Sequence, residues 1–196
     1  NDVIDQGIAC AILEDQEWPK RCGHLDGKRV ISIEEHVEKI RAVRSVSWES
    51  GLVIVARTDT RAELGLTDAI QRGNAYYEAG ADVIFIEAPQ TEEELGEIPS
   101  ALPDIPLLAN MIVGGKAPCL SAQDLEKLGF KLGVFALSGL FAATKGIEDC
   151  FRFLKENGTT SGFEKRSLLA DYKEIISIKK YQELEGKFSI RKPHTE

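Results

Sequence analysis

The chain has 196 residues, 43% of them hydrophobic and 29% charged, the balance of a soluble globular protein with one substantial core. A net charge of −8 argues against a partner bound through its phosphate backbone, and no stretch approaches the roughly 18 uninterrupted apolar residues of a membrane helix. The first residues lack the basic-then-apolar pattern of an export signal, and cysteines at 10, 22, 119 and 150 have no CxxC spacing, which together imply a cytoplasmic protein without a disulfide framework.

Ile8–Leu13 is the first predicted strand, continuously apolar as expected of a strand buried on both faces. Ser32-Ile-Glu-Glu35 has capping-box spacing, and Ile33, Val37, Ile40 and Val43 follow at helical intervals. Leu52–Ala56 is the second strand. Thr67 precedes a helical run ending at Ala79-Gly80, with Gly80 just past the helix end. Val83–Ile86 is the third strand, and Thr91–Glu94 forms another capping box. Pro106–Ala109 is the fourth, followed by a short helix between Ser121 and Gly129. Leu132–Leu137 is the fifth strand, and Phe141–Asn157 reads as a longer helix stopped by Gly158.

Alternation of strand and helix means βα units and a parallel α/β sheet. Both an open doubly wound sheet and part of a (β/α)8 TIM-type barrel fit five such units. Polar residues at the strand ends favour the barrel, because Glu14, Arg57, Glu87, Asn110 and Ser138 would converge on one mouth. Residues 1–158 then form the C-terminal part of a barrel, and residues 159–196 a helical extension and tail. In that extension Leu168, Leu169, Tyr172, Ile175 and Ile176 make an apolar stripe that needs a partner surface, on its own barrel or on another subunit.

Chemistry concentrates in Leu13-Glu-Asp-Gln-Glu-Trp-Pro-Lys-Arg-Cys-Gly-His-Leu25, a long loop after the first strand and so a lid at the mouth. Cys22 stands beside Lys20, Arg21 and His24. Adjacent positive charge lowers a thiol's pKa and suits it to proton transfer or nucleophilic attack; the alternative is an incidental surface cysteine. Gly23 lets the backbone approach a ligand closely.

These residues resemble the signature of the isocitrate lyase/phosphoenolpyruvate mutase superfamily. Glu14-Asp15-Gln16 followed by Lys20-Arg21-Cys22-Gly23-His24 is most similar to its lyase branch. Ala56-Arg57-Thr58-Asp59, Gly80 through Glu87-Ala88, and Ala109-Asn110-Met111 leading to Gly114-Gly115-Lys116 extend the resemblance over essentially the whole chain. It implies a carbon–carbon lyase for a small 2-hydroxy di- or tricarboxylate, of the methylisocitrate or alkylmalate kind, releasing a 2-oxo acid and a carboxylate. Cys22 would be the catalytic acid/base. Cys22, Gly23, His24, Arg57, Glu87 and Asn110 would bind substrate, and Glu14 would belong to a site for Mg²⁺, or Mn²⁺ in its place, with no organic cofactor. The C-terminal helix resembles a segment exchanged between subunits, implying a homo-oligomer, dimer or tetramer. No nucleic acid or membrane is implied.

The chain departs from the family pattern in three places. Asn1–Gly7 resembles the end of a helix before the family's fourth strand, so the aspartates that ligate magnesium and a serine-containing substrate loop would lie upstream, leaving residues 1–196 alone inactive and poorly soluble. Val113 stands where tricarboxylate-cleaving relatives have glutamate, and Phe141 where methylisocitrate lyases have arginine. Without that cation a smaller acid is favoured, since a buried unpaired charge is costly. Oxaloacetate hydrolysis or decarboxylation on the same site is the alternative chemistry; a phosphonate mutase fits less well because Cys22 is present, and a non-catalytic scaffold stays open. His36 reads as a solvated surface histidine and Cys10 as an inert strand residue; His194 lies in the tail. Trp18 suits packing under the closed loop or on a neighbouring subunit. No zinc spacing or Ser-His-Asp constellation stands out.

Overall fold

The computed structural model describes residues 2–23, 25 and 27–188. Its contacts form two compact units, residues 1–139 and 140–196. The first opens with α1 (Asp2–Asp5) and continues β1 (Cys10–Glu14), α2 (Ile33–Ser47), β2 (Val53–Thr58), α3 (Arg61–Leu64), α4 (Leu66–Glu78) and β3 (Val83–Ile86). It then runs α5 (Glu92–Ala101), β4 (Leu107–Asn110), α6 (Ala122–Leu128) and β5 (Leu132–Val134). All pairings are parallel, and the strands lie side by side in chain order, β1-β2-β3-β4-β5. A doubly wound sheet reverses its order at a switch point, whereas an arc of a TIM-type barrel does not. The order selects the barrel arc.

Local chemistry sets the element ends. Ser32 Oγ accepts from the Glu35 N–H at 3.1 Å, Thr91 Oγ1 from Glu94 at 3.2 Å and Ser121 Oγ from Asp124 at 3.1 Å, the N-cap bonds expected of all three. Glu94 does not complete a box, because its carboxylate accepts from the Gln90 N–H and from Arg61. At the end of α4, Gly80 takes a φ of 109°, in the left-handed region that glycine enters freely. Strands β2 and β4 run past their apolar residues, with Thr58 paired to Ile86 and Asn110 to Val134. Backbone pairing is indifferent to side-chain polarity, so the apolar runs understate the strands. The fifth strand is shorter than its apolar run, and Ser138 begins α7 (Ser138–Asn157) instead of ending a strand.

Side chains alternate across this sheet. On the helix side Ile54, Ala56, Ile84, Ile86, Leu107 and Ala109 pack with Ile40, Tyr76, Leu95, Ile98 and Leu125 in the main core. On the other side Val55, Val83, Phe85 and Leu108 form a smaller cluster. Arg57 and Glu87 continue the second set by strand parity. At the sheet edges Ile12 on β1 and Leu132 on β5 are 56% and 45% exposed, and Cys10 is exposed on β1 for the same reason, not buried in a strand interior. His36 is corrected the other way. It is 1% exposed, because α2 turns it onto Tyr76, with ring centroids 4.6 Å apart.

The second unit holds most of α7, then α8 (Leu169–Ile175) and α9 (Ile178–Phe188). The expected apolar stripe falls on α8 and its flanking residues Leu168 and Ile176, and a φ of 54° at Ser177 separates α8 from α9. Phe153 and Phe163 pack with ring centroids 5.8 Å apart, while Leu169, Tyr172 and Ile175 stay exposed. Among the described residues no helix is long and apolar enough to cross a membrane.

Candidate active site

Strand ends and the loop after β1 build one polar centre. Glu14 and Arg57 are paired residues of β1 and β2, and Arg57 lies over the Phe85 ring at 5.2 Å from its centroid. Its guanidinium donates from Nε and Nη2 to the two carboxylate oxygens of Asp59, at 2.8 and 2.9 Å. Nη1 lies 3.0 Å from Glu87 Oε2, and Nε lies 3.5 Å from Glu14 Oε2. Glu87 is 2% exposed and precedes Ala88, where a φ of 56° turns the chain sharply after β3. Burial works against the charge of Arg57, but Asp59 and Glu87 outweigh it and raise its pKa. Arg57 is a permanent cation held in one orientation.

The loop between β1 and α2 is closed at its stem. Ile31 N–H donates to the Asp15 carbonyl and Glu17 N–H to the Arg29 carbonyl, each at 2.8 Å, beside an antiparallel bridge from Gln16 to Val30. Within the loop the Gln16 amide accepts from the Arg21 N–H and donates to the Arg21 carbonyl, both at 2.8 Å. Cys22 is exposed, its carbonyl accepting from the Leu25 N–H at 2.9 Å. Gly23 is buried against the polar centre. A Cβ placed there would lie 2.4 Å from Glu87 Cγ and 2.5 Å from Arg57 Nη2. Glycine is required at this position for space. Lys28 donates to the Gly23 carbonyl and sits 3.8 Å from Asp59 Oδ1, with its side chain only 2% exposed. Burial, opposed by Asp59, lowers its pKa.

Under the loop lies a second network. Asp15, wholly buried, accepts from Thr58 Oγ1 at 2.7 Å, Tyr76 Oη at 2.8 Å and Arg72 Nη1 at 3.1 Å through Oδ2. Its Oδ1 accepts from the Asp59 N–H at 3.0 Å, and Arg72 reaches on to the Ile31 carbonyl at 2.8 Å. One carboxylate thereby ties the end of β2 to the loop stem. Burial and the Asp15 charge push the Tyr76 phenol far up, so it stays a neutral donor.

The phosphoenolpyruvate phosphomutase family model matches residues 1–154. The chain belongs to that family. The superfamily expected from the Cys22 loop, and its lyase branch, is thus the one to which this chain is assigned. Carboxyvinyl-carboxyphosphonate phosphorylmutase of Arabidopsis thaliana is 42% identical over 96% of this chain and 56% of its own length. The 2,3-dimethylmalate lyase of Eubacterium barkeri is 38% identical over 93% of this chain and 63% of its own length. A solved oxaloacetate acetylhydrolase, in complex with 3,3-difluorooxalacetate, superposes with a TM-score of 0.87 at 29% identity, covering 96% of this chain and 64% of that one. The chain therefore spans about three-fifths of the length of these relatives.

Within this family member the expected site residues fall unevenly. Glu14, Arg57, Glu87 and Gly23 meet at one centre. Asn110 ends β4 with a buried Oδ1 that makes no hydrogen bond among the described residues. His24 lies outside the described residues. Trp18, 84% exposed, does not pack under the loop. Glu14 pairs with Lys20 at 3.0 Å, and among the described residues no group of three or more His, Cys, Asp or Glu side chains could hold a metal ion. These residues do not by themselves form a magnesium site. Sequence reasoning assigned no role to Asp59, Asp15, Arg72 or Lys28. Asp59 was legible from the Val53-Val55-Arg57-Asp59 parity; Lys28, between Gly27 and Arg29, carries no pattern that separates it from surface charge.

Proposed function

We propose that the whole protein is a carbon–carbon lyase that splits a small 2-hydroxy dicarboxylate, of the alkylmalate kind, into a 2-oxo acid and a carboxylate. One observation carries this reading: the loop bearing Cys22 is seated, through Gly23, directly on the Arg57–Glu87 pair at the carboxyl ends of parallel strands. A guanidinium that is always charged and fixed in direction suits one substrate carboxylate. Asn110 Oδ1, buried without a hydrogen bond, is an acceptor for a substrate hydroxyl. The loop excludes water from the breaking bond, and the Cys22 thiol delivers a proton to the carbanion that cleavage leaves behind. The magnesium dependence implied by the family resemblance belongs to this proposal for the whole protein, and of the described residues Glu14 alone would face the ion.

The neutral Val113 and Phe141 favour a small acid over a tricarboxylate. The exposed apolar residues of α8 and α9 support a homo-oligomer in which these helices pack on another subunit. The test is turnover of the full-length protein on 2,3-dimethylmalate, 2-methylisocitrate and oxaloacetate, with Cys22→Ser alongside. The expected result is preference for dimethylmalate and a loss on the order of 10²-fold in kcat for Cys22→Ser. Oxalate and acetate formed from oxaloacetate as the preferred reaction would favour the hydrolase alternative, and wild-type turnover by Cys22→Ser would refute the proton-donor role.

A further inference from the structure

On the lyase reading the loop that carries Cys22 must admit substrate, and something must hold the pose seen here, with Gly23 resting on the Arg57–Glu87 pair. Lys28 is the candidate because its position is otherwise hard to account for. A lysine side chain is mostly solvated, yet this one is 2% exposed within its own loop. Its ammonium donates to the Gly23 carbonyl, five residues back, and faces Asp59 at 3.8 Å. Asp59 is itself fixed, by two hydrogen bonds from Arg57 and by its own N–H donating to Asp15. A buried cation is tolerable only where such partners surround it.

We propose that Lys28 is the latch of the Cys22 loop: its ammonium, held by Asp59, draws the Gly23 carbonyl down so that Gly23 rests on the Arg57–Glu87 pair. Two clasps divide the loop between them. The Gln16 amide grips the Arg21 backbone from the stem side, and Lys28 grips Gly23 from the far side, with Cys22 between the two. The thiol position is then set by backbone contacts on both flanks and not by contacts of its own. Burial lowers the Lys28 pKa, with Asp59 and Glu87 opposing that shift. Lys28 is a positioning residue, because its contacts are to the loop and to Asp59.

The inference rests on the lyase reading for its purpose but not for its test. Trypsin can cut after Lys20 and Arg21, both exposed in the loop, so nicking at these bonds in the full-length protein without substrate reports loop opening. Lys28→Met should raise the nicking rate there at least tenfold, with cleavage elsewhere and Tm nearly unchanged. Lys28→Arg, which keeps a charged donor, should restore much of the slow rate. In turnover, Lys28→Met should lower kcat more than it raises KM. Unchanged nicking in Lys28→Met, or acceleration spread evenly over the chain, would overturn the latch. If the wild type turns over none of the three acids while loop nicking still depends on Lys28, the lyase reading fails and the latch stands.

Discussion

Replacing Gly23 by alanine probes the seat of the loop directly. The added Cβ would stand 2.4 Å from Glu87 Cγ and 2.5 Å from Arg57 Nη2, where ordinary contact is about 3.5 Å. Neither neighbour yields easily: Glu87 is 2% exposed, and Arg57 is tied to Asp59 and Glu87. The loop must therefore lift by about 1 Å, a displacement that typically costs on the order of 10²-fold in rate when it misplaces a reacting group. Lifting the loop unfolds nothing in the main core, which lies across the sheet, so Tm should stay within a few degrees. The assay is kcat and KM on the preferred acid beside a thermal melt of Gly23→Ala in the full-length protein. A well-folded variant with wild-type kcat would refute the idea that chemistry requires Gly23 on the Arg57–Glu87 pair.

Removing the Asp15 carboxylate in Asp15→Ala leaves Thr58, Tyr76, the Asp59 N–H and part of Arg72 without their shared acceptor, and breaking a buried pair in this way costs about 3–5 kcal/mol. Denaturant unfolding should register that loss, and the double change Asp15→Leu with Arg72→Met should recover part of it; a loss under about 1 kcal/mol for Asp15→Ala would contradict the role of the network. Burial holds the His36 pKa below its ordinary value, the Asp15 charge offsetting this only in part, so the unfolded chain takes up the proton first. The stability this gives is complete above about pH 6.5 and is lost as pH falls toward the folded pKa. His36→Leu should flatten unfolding free energy between pH 7 and 5, and an unchanged slope would show that the ring protonates without penalty.

The barrel arc was legible because two independent patterns agreed. Continuous apolar runs such as Val83–Ile86 announced buried parallel strands, and the polar residues after the first three runs, Glu14, Arg57 and Glu87, announced the polar centre, whereas Ser138 after the fifth opens a helix. Where polarity and backbone pairing part company the sequence misled, as at Thr58 and Asn110, which are strand residues despite being polar. His36 was misplaced for a related reason. Helical spacing put it among glutamates and lysines, and only the packing of α2 on α4 brings it over Tyr76. Of the polar centre, Arg57 and Glu87 could be read from parity, whereas Asp15 and Arg72 meet across 57 positions of sequence that no local pattern connects.

On the proposed reading, a guanidinium already surrounded by three carboxylates must still receive an anionic substrate. A guanidinium has five N–H donors. Asp59 takes two of them and Glu87 one, leaving one on each terminal nitrogen. Two donors are enough for a single carboxylate but not for two. The charge around them sets the same limit. Glu14, Asp59 and Glu87 are matched by Arg57, Lys28 and Lys20, so these side chains offer an incoming acid no surplus of positive charge. Whatever binds Arg57 gains from direction more than from net attraction, and a second or third carboxylate must find its cation elsewhere. On the proposed lyase reading a short dicarboxylate therefore fits Arg57 better than a tricarboxylate, whose further carboxylates these side chains leave without a partner.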